Sequence, residues 1–138
     1  MPVAPSPPCS GVLSIGGTEL DYRSPAARKT VRRLEHDPGE SDVRVLLAHR
    51  PDSALTLGAG HADRSTVTGH THGGQIQLPF LGPLTVASRV DRSVGAGGLH
   101  DVGGGRRLYI NRGVGLERGQ APPIRFGAPP EVSLLRLR

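Results

Sequence analysis

Aromatic residues are nearly missing from this 138-residue chain, which has two Phe, two Tyr and no Trp. Large rings usually supply much of a core's buried area, so any core here rests on aliphatic side chains. Leu, Ile, Val and Phe together make about a quarter of the sequence, above the roughly 20% at which disorder becomes the default. A thin core is expected, and 20 Gly and 13 Pro predict many loops around it. The single cysteine, Cys9, excludes an internal disulfide. No apolar run approaches the ~20 residues needed to span a bilayer, and the N-terminus lacks a charged-then-apolar secretory pattern. Cytoplasm is the expected location. Lysine is also scarce, since 16 Arg and one Lys carry the net charge of +5. The arginines are scattered, with Arg32-Arg33 and Arg106-Arg107 as the doublets, and no zinc-finger or aromatic RNA-binding pattern accompanies them. A nucleic-acid partner is therefore not favoured.

Residues 1–10, MPVAPSPPCS, read as a disordered Pro-rich leader. Alternation over Val12–Leu20, broken at Gly16-Gly17, predicts a hairpin. Ser24-Pro25 predicts an N-cap and first helical position, and the polar helix behind it buries little beyond Val31 and Leu34 before Pro38-Gly39 stops it. Val43–His49, VRVLLAH, is nearly continuous in apolar residues, as a buried central strand should be. Pro51 opens a short helix through Leu57, and Ser65–Thr68 is a strand running into Gly69-His70. IQLPFLGPL (76–84) is an apolar segment broken by prolines, residues 92–105 a glycine-laden loop, Arg107–Asn111 a strand, Arg112–Gly115 a turn and Glu131–Leu137 a final strand. The sum is a β-rich, loop-rich α/β (α+β) chain with few flanking helices.

The chemistry-bearing residues are histidines. His70 and His72, one residue apart, point to the same side of an extended backbone with Cα atoms ~6.5 Å apart. That spacing suits two ions about 3.5–4 Å apart better than one. Gly69 allows a turn at the strand end, and Gly73-Gly74 carries the chain away without crowding. Imidazole suits zinc, iron and manganese alike. The competing reading is a pair of ordinary surface histidines. His49 ends the strongest strand, where ligand sites of α/β sheets gather, although a solvated or capped histidine also fits. His36, His61 and His100 are expected to be solvated, and Phe80 and Leu81 are expected to pack, the other reading being an exposed apolar lip.

LLAHRPD, GHTHGGQIQLPFLGPL, LYINRGVG and PIRFGAPPEVSLLRLR, in this order, resemble the second half of bacterial calcineurin-like metallophosphoesterases. The subgroup is the one that includes membrane-associated phosphodiesterases. The resemblance covers residues 43–138 well and 11–42 loosely. It implies mixed β-sheets flanked by helices, with two divalent metals (zinc, iron or manganese) at the strand ends. It implies that His49 and His70 bind one metal and His72 the other, and that a phosphate ester is the substrate. Arg112 is a candidate to face substrate phosphate, or to sit in a structural ion pair. Asp-x-His, Gly-Asp-x-x-Asp and Gly-Asn-His-Asp/Glu, which supply the family's carboxylates, do not occur. Asp52 and Asp63 match no family ligand. Residues 11–138 are thus expected to be the C-terminal half of a metallophosphoesterase domain, truncated and weakly active or inactive alone. The alternative is a non-catalytic metal- or partner-binding fragment completed by an N-terminal-half chain. Peripheral membrane contact is a further expectation from the subgroup.

Overall fold

The computed structural model describes residues 11–36, 43–56, 64–119 and 121–136. The expected leader with Cys9, the Pro38-Gly39 stop, Leu57, His61, Asp63 and Leu137 lie outside them. Strand β1 (Leu13–Gly17) is followed by helix α1 (Pro25–Glu35), β2 (Val43–Ala48), a 3-10 turn (Pro51–Thr56) and β3 (Arg64–Thr68). A second 3-10 turn (His72–Gly74) leads to the short strands β4 (Gln77–Leu78) and β5 (Gly82–Pro83), then α2 (Arg92–Gly95), β6 (Gly98–Asp101) and β7 (Arg107–Ile110). One mixed sheet has the order β1-β2-β3-β7-β6, and β4-β5 form a two-stranded piece. β1, β2, β3 and β7 run parallel, whereas β6 is antiparallel to β7. This is the α/β class that the sequence predicts.

The Ser24-Pro25 signal operates as read. Ser24 is the N-cap, its hydroxyl accepts a hydrogen bond from the Ala27 N–H at 3.0 Å, and Pro25 opens α1. Ala27, Val31 and Leu34 are the buried residues of the helix, and Val31 and Leu34 cluster with Leu46 of β2. Gly16-Gly17 is not a hairpin turn. β1 is one strand paired in parallel with β2, with Ile15 opposite Val45. Gly16 is there for space, because a Cβ at that position would stand 2.6 Å from Leu34 Cδ1. The missing side chain lets α1 lie close against the sheet.

A second cluster of Ala54, Leu108 and Ile110, with Val90, Val94 and Val102 packed on it, fills the space beneath β7. It draws α2 and β6 into order, so the expected loop over 92–105 contains both a helical turn and an edge strand. The expected final strand is absent. Residues 131–136 carry no ladder. Glu131 and Ser133 instead bond through their side chains to Tyr109 and Asn111, while Val132 and Leu134 are exposed. Phe80 and Leu81 do not pack. They form an exposed lip at the β4–β5 turn.

The sheet is unevenly covered. Side chains alternate across a strand, and Gly16, Leu46, Thr66, Leu108 and Ile110 face the covered side. On the other face Leu13, Ile15 and Leu47 remain exposed.

Candidate metal centre

β2, β3 and β7 are parallel neighbours, so their carboxyl ends lie side by side. Ligand sites of such sheets form outside those ends. His49 follows β2, Gly69–His72 follow β3, and Asn111–Gly115 follow β7. The ladder continues one step into the site, with Gly69 N donating to His49 O at 3.3 Å and Asn111 N to Thr68 O at 2.8 Å.

The loop after β3 is not extended. His70, His72, Gly73, Gly74 and Gln75 all have positive φ, of 69°, 51°, 65°, 75° and 55°. Backbone of this kind is uncommon outside glycine and collects at functional sites. The same-side arrangement expected for His70 and His72 therefore does not arise. The two rings engage different surroundings instead.

His70 faces His49, with Nδ1 3.0 Å from His49 Nε2 and ring centroids 4.7 Å apart, tilted by 58°. His70 Nε2 lies 3.3 Å from the Ala87 carbonyl oxygen. A carbonyl only accepts, so Nε2 carries the proton and Nδ1 holds the lone pair toward His49. Burial, then the nearby His49 and Arg50, push the His70 pKa below its ordinary 6.5. A neutral imidazole is the form a metal requires. Asp52 fixes this corner from behind. It is 3% exposed and accepts from Ser88 Oγ at 2.7 Å and Arg89 N at 3.0 Å, which ties the Ala87 segment against His70.

His72 turns to the loop after β7. Its Nδ1 is 3.2 Å from Gly115 O, an acceptor, and 3.4 Å from Arg125 Nη2, a donor, so the two neighbours compete for that nitrogen. Arg125 organises this side. Its Nη1 donates to His72 O (3.3 Å) and Ala128 O (3.1 Å). Its Nη2 donates to Arg112 O (2.8 Å), Gly113 O (3.0 Å) and Gly115 O (2.6 Å). Burial and the charge of Arg112 lower its pKa, without threatening a guanidinium's charge near neutrality. Gln75, 1% exposed, donates to Glu117 O at 3.2 Å and Pro122 O at 2.9 Å, tying the loop to the C-terminal segment. Gln75 and Arg125 lie within the motifs GHTHGGQ and PIRFG that carry the family resemblance, but the sequence reading gave neither a role.

Arg112 donates from Nε to Glu131 at 2.6 Å, the ion-pair arrangement. The Tyr109 hydroxyl, followed by Arg112 and Ser133, holds the Glu131 carboxyl down to about 2 against the opposing effect of burial. The sign of the linkage follows directly. A depressed carboxyl stabilises the fold fully above its unfolded value near 4.5, and the contribution is lost as pH falls toward about 2. Denaturant midpoints measured across that window should fall with acid, and Glu131→Gln should flatten the decline. An unchanged slope would remove Glu131 from the account.

His36 is exposed at the end of α1, as expected, whereas His100 is half-buried and bonded to Gly97 O at 3.0 Å. Among the described residues no group of three or more His, Cys, Asp or Glu is placed to hold a metal ion. The donor set therefore fits a metal only in part. His49 Nε2 and His70 Nδ1 are close enough to share one cation, and His72 Nε2 is available, but no carboxylate joins them.

Paired imidazoles stand at the ends of parallel strands, one of them on a loop of left-handed residues. The metallophosphoesterase YkuE of Bacillus subtilis is 39% identical over 94 residues, 68% of this chain and 30% of that protein. The metallophosphoesterase Cj0846 of Campylobacter jejuni is 33% identical over 129 residues, 94% of this chain and 31% of that protein. The phosphodiesterase YaeI of Escherichia coli is 37% identical over 94 residues, 68% of this chain and 32% of that protein. No family model and no solved structure matches. The chain belongs to the calcineurin-like metallophosphoesterase superfamily, and it spans about a third of the length of these relatives. No helix among the described residues is long and apolar enough to cross a membrane.

Proposed function

We propose that this chain carries the histidine part of a metal-dependent phosphoesterase centre that hydrolyses phosphate ester or pyrophosphate bonds. The observation that supports it is the 3.0 Å approach of His49 Nε2 to His70 Nδ1 at adjacent strand ends. In this reading His49 and His70 hold one divalent ion and His72 Nε2 reaches a second, with zinc, iron or manganese as the candidates. Such ions, when bound, polarise a phosphoryl oxygen and acidify a water. The chain's own residues orient the donors: Ala87 fixes the His70 tautomer, and Gly115 and Arg125 hold the His72 ring at Nδ1. Neutral imidazoles do not offset dication charge as carboxylates do, so weak or absent hydrolysis by the isolated chain is part of the proposal.

The test is metal content after equilibration with each ion and gel filtration. Wild type should retain metal, and His49→Ala/His70→Ala should lose most of it, with any diesterase activity abolished by chelator. Equal metal in wild type and the double variant would sink the ligand assignment, and hydrolysis that survives chelator would remove the metal from the chemistry. A second reading is a metal-binding fragment completed by another polypeptide that brings carboxylates. The exposed Leu13, Ile15 and Leu47 on one sheet face support it. Mixing with a chain containing the family's acidic motifs should then raise activity well above the sum of the parts.

A further inference from the structure

Beside the histidine pair lies an open cavity of about 590 Å³ with a second kind of chemistry. Arg23, Arg50 and Arg89 line it, together with Asp21, Tyr22, Asp52, Ala87 and Ser88. These arginines come from three separate stretches of the chain, yet fold topology brings them to one place. The cavity adjoins the histidines at two points: Arg50 follows His49 in sequence, and the Ala87 carbonyl lies against His70 Nε2.

The charges in the cavity do not cancel. Both Asp52 oxygens are occupied by Ser88 Oγ and Arg89 N, and Asp21 Oδ1 accepts the backbone N–H of Arg23 at 3.0 Å. Among the described residues no carboxylate ion-pairs with any of the three guanidiniums, although Arg23 lies over the Tyr22 ring at 5.3 Å. Arg50 Nε is buried and has no hydrogen-bond partner. A buried donor without an acceptor is unfavourable, and such groups call for an explanation. Guanidinium forks match the oxygens of a phosphoryl group in geometry and charge.

We propose that Arg23, Arg50 and Arg89 form an anion subsite that holds a phosphoryl group of the substrate beside the His49–His70 pair. Its role as a substrate subsite rests on the phosphoesterase reading, whereas anion binding by the cavity does not. The cavity stands next to the histidines rather than between them, so the subsite adds to the metal-binding donors and does not replace them.

Binding is measured by NMR titration of the chelator-treated chain with inorganic phosphate and inorganic pyrophosphate. Amide shifts should concentrate at residues 21–23, at Arg50 and Asp52, and at residues 87–89, with pyrophosphate the tighter of the two. Arg50→Gln/Arg89→Gln should weaken binding about tenfold or more, the loss expected for charge-assisted hydrogen bonds. Arg136→Gln, at an exposed position, should leave it unchanged. Shifts spread over all the arginines, an equal loss in Arg136→Gln, or no binding at millimolar anion would each overturn the proposal. The shift map is read on wild type, so it decides even if the double variant unfolds. Because metal is absent throughout, failure of the histidine assignment leaves the result intact. Conversely, unchanged metal uptake by the double variant separates failure of the subsite from failure of the metal reading.

Discussion

Gly74→Ala should destabilise the chain by about 2–5 kcal/mol, combining left-handed strain with overpacking. Gly74 has φ +75°, and a Cβ there would stand 2.5 Å from the Thr85 carbonyl oxygen and 2.6 Å from Pro83 Cβ. Neither obstacle is the end of a flexible side chain, so the loop itself must move. Gly82 provides the control, because it has φ +74° and nothing within 4 Å of the point where a methyl group would stand. Gly82→Ala should cost only the strain, about 1–2 kcal/mol. Chemical denaturation of the two variants measures the difference. If Gly74→Ala proves no worse than Gly82→Ala, the packing of the histidine loop on the β4–β5 piece is not as described.

Arg125→Ala should be the most damaging surface-side substitution, at about 2–4 kcal/mol, because one guanidinium serves several carbonyls at once. Those of His72, Arg112, Gly113, Gly115 and Ala128 all receive hydrogen bonds from it. Arg125→Lys keeps the charge but lacks the planar fork, so rescue should be poor. A specific readout is available besides stability. Nitrogen shifts of the His72 ring report which nitrogen is protonated, and both variants should shift that balance toward Nδ1–H, because Arg125 Nη2 and Gly115 O compete for Nδ1. A ring unaffected in a folded Arg125→Lys variant would leave Arg125 a purely structural clamp.

The elements legible in sequence were those with strong local signals. β2 is a near-continuous apolar run because it lies between β1 and β3 in the sheet, and α1 is announced by Ser24-Pro25. Where tertiary contacts override local chemistry, the reading failed. Gly16 looked like a turn but makes room for Leu34. Val94 and Val102 looked isolated among glycines, yet they pack on Leu108 and Ile110. Val132 and Leu134 alternate as a strand should, but they stand exposed while the side chains of Glu131 and Ser133 bond to Tyr109 and Asn111. At the site, the histidine identities were visible and their geometry was not, because His70 and His72 adopt left-handed backbone that sequence does not advertise. The residues that orient them act over long separations. Arg125 and His72 are 53 positions apart, and Ser88 is 36 beyond Asp52.

The half-covered sheet also bears on how the molecule behaves as a colloid. Leu13, Ile15 and Leu47 leave exposed apolar side chains on one sheet face, and such surface favours association with another copy. What holds copies apart is the net charge of +5, and mobile ions screen that repulsion over about 8–10 Å at ordinary ionic strength. Salt, usually added to keep a basic protein in solution, should therefore favour association of this one, and light scattering of samples stored in dilute and in high-salt buffer checks it.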